Sequence, residues 1–214
     1  MIYWLTVFKE EVFQNKLAVR IYMPDRLKSL LVDDWENITK NLQLVQLPSG
    51  KPAGVILDEY SDHVNVSGNR NSTERDITQE VVAGLKEYFN KALGRLLLYR
   101  FEREQFYDIY TRIDQPTDEL AGKTLAEIYG GEHLLRLLGK LRRFILLLNL
   151  TDVPVSMPEL IAQTNMDHQA INRLREELSG MTTWLSKEPQ VNKYFASVYE
   201  SPGQAYIDKV KSST

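Results

Sequence analysis

Apolar residues return at helical spacing along most of this chain, interrupted by short polar stretches. Leu17 to Met23 is rich in β-branched and aromatic residues and predicts a short strand. Pro24 can open a helix, and Leu27, Leu30, Leu31, Trp35 and Ile38 follow on one face. Leu42 to Leu47 alternates and predicts a second short strand, closed by Pro48, Ser49 and Gly50. Pro52 opens another helix with Val55, Ile56 and Tyr60 on its stripe. The polar residues 61–73 predict a loop. Thr73 is placed to cap a long helix bearing Ile77, Val81, Leu85, Tyr88, Phe89 and Leu93, with Gly94 as its end.

Leu96 to Phe101 then links to a helix carrying Phe106, Ile109 and Tyr110. A loop at 112–123 and a helical turn at Leu125 to Tyr129 precede a strongly helical stretch from Glu132. Ile171, Leu174, Leu178, Met181 and Leu185 mark an amphipathic helix from Asp167 to Lys187. Pro189 and Pro202 separate short terminal helices around Tyr194 and Ile207. The pattern predicts a mainly α fold with a short β-hairpin near its start.

Composition narrows the function classes. The chain has 214 residues, 43% hydrophobic and 26% charged, ordinary for a soluble globular protein. A formal net charge of −3 disfavours a broad cationic surface for nucleic acid. With no cysteine there is neither a disulfide nor a thiolate metal site. His63, His133 and His168 are too far apart in sequence to form a local ligand pair. The apolar start MIYWLTVF lacks a basic n-region and a cleavage site, and the run Phe144 to Leu148 is far too short to span a bilayer. The Asn-x-Ser/Thr triplets at Asn37, Asn65, Asn71 and Asn149 therefore read as unmodified in a soluble, intracellular chain.

Catalytic chemistry finds little support. Gly122-Lys123-Thr124 resembles the end of a phosphate-binding loop, but position 117 is Thr where the loop needs Gly. Asp33 and Asp34 read as polar-face residues of a helix rather than an acid–base pair. His133 has no evident nucleophile and reads as a structural histidine. No catalytic, metal or cofactor residues are assigned, and a non-enzymatic role is expected.

Several blocks carry a family signature: PDRLKSLLVDDWENITKNLQLVQLP (24–48), EVVAGLKEYFNKALGRLLLYRFEREQF (80–106), IYGGEHLLRLL (128–138) and MPELIAQTNM (157–166). In that order they resemble the MRG domain (mortality-factor-related gene), most like its fungal members, over roughly 17–210. Residues 17–214 would be that domain and 1–16 an extension.

The resemblance implies a helical, non-catalytic adaptor of nuclear histone acetyltransferase and deacetylase complexes, serving transcription regulation and DNA repair. Family members dock partner subunits in a hydrophobic groove, often through a Phe-x-Leu-Pro core. Many also carry an N-terminal chromodomain that reads methyl-lysine. Residues 1–16 leave no room for one, so no such reading is expected of this chain as it stands. Carried over residue by residue, the groove positions are Met23, Leu31, Val32, Trp35, Tyr99 and Val155. A rigid Trp and Tyr flanked by aliphatic residues suit a binding hot spot. Arg136 is expected to pair with an acidic residue of the domain itself. A direct nucleic-acid binder is the alternative, resting on the local cluster Arg136, Lys140, Arg142 and Arg143.

One segment departs from the family. Residues 139–154 (GKLRRFILLLNLTDVP) have no counterpart, and removing them restores the pattern HLLRLLVSMPELIAQTNMD. Codons available at the ends permit a splice donor, a branch point and an acceptor, so the segment reads as a translated, unspliced intron. The first residues, MIYWLTVFK, fall under the same suspicion. Phe144 to Leu148 is apolar on every side of a helix, an aggregation liability if exposed.

Overall fold

A computed structural model describes residues 22–67, 71–148, 168–196 and 199–212. Among these the chain is mainly helical with one small antiparallel sheet. Helix α1 (Asp25–Thr39) follows Pro24, which sits just outside it with extended backbone. Strand β1 (Leu44–Val45) leads to α2 (Ala53–Ser67) and α3 (Ser72–Ala92). A wide π-type turn (Leu93–Leu97) and a 3-10 turn (Arg100–Glu102) precede α4 (Arg103–Ile113). A second 3-10 turn (Leu125–Glu127) precedes α5 (Gly131–Leu148). Helices α6 (His168–Leu185) and α7 (Glu188–Tyr194), strand β2 (Tyr199–Glu200) and α8 (Gln204–Ser212) complete the order.

Helix α5 is the centre of the packing. It touches α1, α2, α6 and the 93–97 turn. Every residue from Gly131 to Leu138 is buried, so this helix has no solvent face there. Around it gather Leu27, Leu57, Phe89, Leu93, Leu120, Ile128 and Leu185. Each such side chain contributes about 1.5–3 kcal/mol by leaving water. Gly131 permits a close backbone approach: a Cβ there would lie 2.6 Å from the carbonyl oxygen of Tyr194.

The small sheet differs from the expected hairpin in its pairing. Leu44 faces Glu200 and Val45 faces Tyr199, so the partner strand comes from the far end of the chain. Most of the segment expected to form the other strand, 17–21, lies outside the described residues, and Tyr22 and Met23 are not in a strand.

Four local expectations are corrected. The loop expected at 61–73 is helical through Ser67, because tertiary contacts override its polar composition. Val64 packs on the core and His63 stacks on Trp184 at 5.9 Å. Asn71, not Thr73, caps α3: its side-chain oxygen accepts from the Glu74 N–H at 2.9 Å, and the Glu74 carboxylate accepts from the Asn71 N–H at 3.0 Å. Gly94 does not stop the chain but sits inside the π turn, where a Cβ would meet the Phe106 ring at 2.8 Å. Val55 faces solvent, and Ala53, Ile56, Leu57 and Tyr60 form the buried stripe of α2.

Candidate functional site

The surface between α1, residues 96–99 and α5 forms an open groove of about 510 Å³. Its lining includes Met23, Leu31, Val32 and Tyr99, four of the positions singled out in the sequence. They play different parts. Met23 is buried, Leu31 and Tyr99 are half-buried, and Val32 is 54% exposed.

Helical geometry explains the α1 contribution. Leu31 and Val32 lie three and four residues beyond Lys28, so both neighbour it along the helix surface that borders the groove. Trp35 follows one turn beyond Leu31 on that side, which carries it past the groove lining. It stands 42% exposed, with the Lys40 ammonium 4.8 Å from its ring centre. Val155 lies outside the described residues.

The opposite wall was hidden in the sequence. Leu96, Leu97 and Leu98 line the groove beside Tyr99, although an apolar run of this kind reads equally well as a core link. After the π turn, Leu98 and Tyr99 are extended, so the chain runs along the groove. Gly139 and Lys140 also line it. They are the first residues of the atypical segment, and the Gly139 position approaches Leu31 closely: a Cβ there would meet Leu31 Cδ1 at 3.5 Å.

Arg136 forms part of the floor although it is only 5% exposed. A guanidinium stays charged at this depth only with full pairing. Its Nε and Nη2 donate to Asp34 Oδ2 and Oδ1 at 2.6 and 2.8 Å. Its Nη1 donates to the Leu97 carbonyl at 2.8 Å and to Glu102 Oε2 at 2.6 Å. The guanidinium lies 4.3 Å from the centre of the Tyr99 ring. Arg136 therefore pairs within the domain, as expected, but Asp34 is not on a polar face. It is 3% exposed and serves as one of two counter-ions, with Glu102 the other.

Glu102 joins the same network at 1% exposure. Its Oε2 also accepts from the Tyr99 N–H at 2.7 Å, and its Oε1 lies 2.9 Å from His133 Nε2. Burial alone would push its carboxyl up, but the charges and hydrogen bonds of Arg136 and His133 outweigh it and hold the group at about 2. The carboxylate is thus ionised, and His133 Nε2–H donates to it. His133 is fully buried. Burial pushes the Tyr99 phenol up.

Leu31 also borders a smaller cavity of about 180 Å³, lined by Asp33, Asp34, Glu132 and Tyr199 among others. The Tyr199 hydroxyl donates to Asp34 Oδ1 at 2.9 Å. Among the described residues no cluster of His, Asp and Glu is arranged to hold a metal ion, and no helix is long and apolar enough to cross a membrane.

Relatives share this sequence along most of its length. The chain is 48% identical over 201 residues to the chromatin modification-related protein eaf3 of Emericella nidulans, covering 94% of this chain and 55% of that protein. It is 45% identical over 205 residues to the protein of the same description from Aspergillus fumigatus, covering 96% and 56%. It is 35% identical over 204 residues to human mortality factor 4-like protein 1, covering 95% and 49%. The chain thus spans about half the length of these curated relatives. A family model described as MRG matches residues 6–154 and 147–201, the two matches overlapping inside the atypical segment 139–154. With that model matching most of the sequence, the chain belongs to the MRG family.

Proposed function

We propose that this chain is a non-catalytic adaptor of nuclear chromatin-modifying complexes, and that it docks apolar peptides of partner subunits in the groove beside α1. The observation that carries this reading is the open groove itself. It gathers Leu31, Val32, Leu96 and Tyr99 at the surface beside the buried Met23, with the exposed Trp35 one turn away. Exposed apolar side chains gathered in this way mark an interaction site. A Tyr and a Trp offer large contact area at little entropic cost. Relatives described as chromatin modification-related support the setting. Service to histone acetyltransferase and deacetylase assemblies, in transcription and DNA repair, follows from the same reading.

The test is calorimetric titration of the whole chain with a peptide containing a Phe-x-Leu-Pro core. Saturable binding, weakened at least tenfold by Trp35→Ala, is the expected result. Duplex DNA is the comparison. Affinity for DNA that falls steeply with salt, without peptide binding, would favour a direct nucleic-acid binder instead.

A further inference from the structure

The groove is connected to the short C-terminal strand by an unbroken run of polar contacts. Tyr199 of β2 donates its hydroxyl to Asp34 Oδ1 at 2.9 Å. That same oxygen accepts from Arg136 Nη2 at 2.8 Å, while Oδ2 accepts from Nε at 2.6 Å. A bidentate pair of this kind fixes the plane of a guanidinium as well as its position. The guanidinium in turn lies against the Tyr99 ring, 4.3 Å from its centre.

A second arm closes the loop. Glu102 Oε2 accepts both Arg136 Nη1 at 2.6 Å and the Tyr99 N–H at 2.7 Å. The backbone and the ring of Tyr99 are therefore both referred to one buried cation. Arg136 lines the groove, whereas Asp34 and Tyr199 line the smaller cavity beyond Leu31. Tyr199 itself is held by pairing with Val45 in the sheet.

We infer that Tyr199 is a positioning residue for the groove: through Asp34 and Arg136 it sets the Tyr99 ring, so strand β2 helps define the surface that a peptide meets. This rests on the peptide-groove reading above. The Tyr199 hydroxyl uses one acceptor site of a carboxylate with few partners to spare. Without it the Asp34 carboxylate keeps its Arg136 bonds but loses the one that ties it to β2, so the ion pair tilts toward the small cavity and carries the guanidinium plane with it. Hydrogen bonds to charged groups are among the stronger ones, and networks of them act as a unit.

The experiment compares Tyr199→Phe with Tyr194→Phe in the full chain. Tyr194 also donates to a carboxylate, that of Glu59, but takes no part in the groove. A single 3-fluorotyrosine at position 99 reports the ring by fluorine NMR without any ligand. Calorimetry with the Phe-x-Leu-Pro peptide reports binding. Tyr199→Phe is expected to move the fluorine resonance and weaken the peptide about fivefold to tenfold. Tyr194→Phe should do neither, even if it lowers the melting temperature as much. An unmoved resonance in Tyr199→Phe overturns the inference, whatever happens to affinity. A moved resonance with full affinity overturns it too, since the ring's placement would then not matter to the peptide. If even the unaltered chain binds no peptide while the resonance moves, the relay to Tyr99 stands and the peptide-groove reading falls.

Discussion

Asp34 and Arg136, 102 positions apart, meet as a bidentate ion pair beneath the groove, at 2.6 and 2.8 Å. Both are nearly sealed from water. Removing Asp34 leaves the buried Arg136 charge with Glu102 alone, and losing one partner of a buried ion pair costs far more than the pair itself contributes. Asp34→Ala should therefore destabilise the fold by about 3–5 kcal/mol in urea denaturation. A loss under about 1 kcal/mol would mean that Glu102 alone suffices to hold the Arg136 charge, or that Arg136 reaches solvent.

Trp35 and Ile38 lie three residues apart on α1 and should behave oppositely. Ile38 is completely buried, so Ile38→Ala should cost about 2–5 kcal/mol of stability. Trp35 is substantially exposed, so Trp35→Ala should change stability by less than about 1 kcal/mol while weakening peptide binding by about 2 kcal/mol or more. Paired melting and calorimetry on both variants separates the two roles.

Acid sensitivity follows from Glu102. Its carboxyl is held at about 2 in the folded chain, against an ordinary value of 4.5. A depressed folded value stabilises the fold above the unfolded value, and that contribution fades as pH falls toward the folded one. Between about pH 4.5 and pH 2 the chain should therefore lose stability on the order of 3 kcal/mol from this group. Glu102→Gln should flatten that part of the melting-temperature profile. An identical slope in the variant would assign the acid limb to other carboxylates.

Two glycines in helices should respond in opposite directions. At Gly131 a new Cβ would press on the Tyr194 backbone at 2.6 Å, so Gly131→Ala should cost about 1–3 kcal/mol. At Gly84, on the exposed side of α3, a Cβ meets nothing within 4 Å. Gly84→Ala should raise stability by about 0.5–1 kcal/mol. Thermal melts of the two variants decide both.

Residues 139–154 provide a prediction about the chain as a whole. With Phe144 to Leu148 apolar on every side, the full sequence should be less soluble than a version lacking 139–154. Sedimentation of the two proteins after expression checks this, and equal solubility and melting temperature would count against it. A complementary DNA spanning residues 130–165 tests the intron reading directly: transcripts that mostly encode all 16 residues would end it.

Periodicity made the helices legible. The 3.6-residue recurrence through Leu27 and Ile38, or through Val82, Leu85 and Phe89, reflects a face that must leave water. It misled where local polarity and tertiary contact disagreed. His63 and Val64 look like loop residues but are held in a helix by Trp184 and the core. Asp34 looked like a surface acid because nothing near it in sequence supplies its counter-ion.

Helices packed around an apolar centre, and the likeness to a known family, can be read from the amino-acid string. Both depend on local spacing and residue order, which a one-dimensional string records. Folding in three dimensions is what turns Leu96 to Leu98 toward the groove, brings Tyr199 to Asp34, and pairs β1 with the far end of the chain. Those outcomes depend on which distant segments meet. A buried charge or an unpaired strand edge can specify that it needs a partner, but packing in three dimensions selects which one answers.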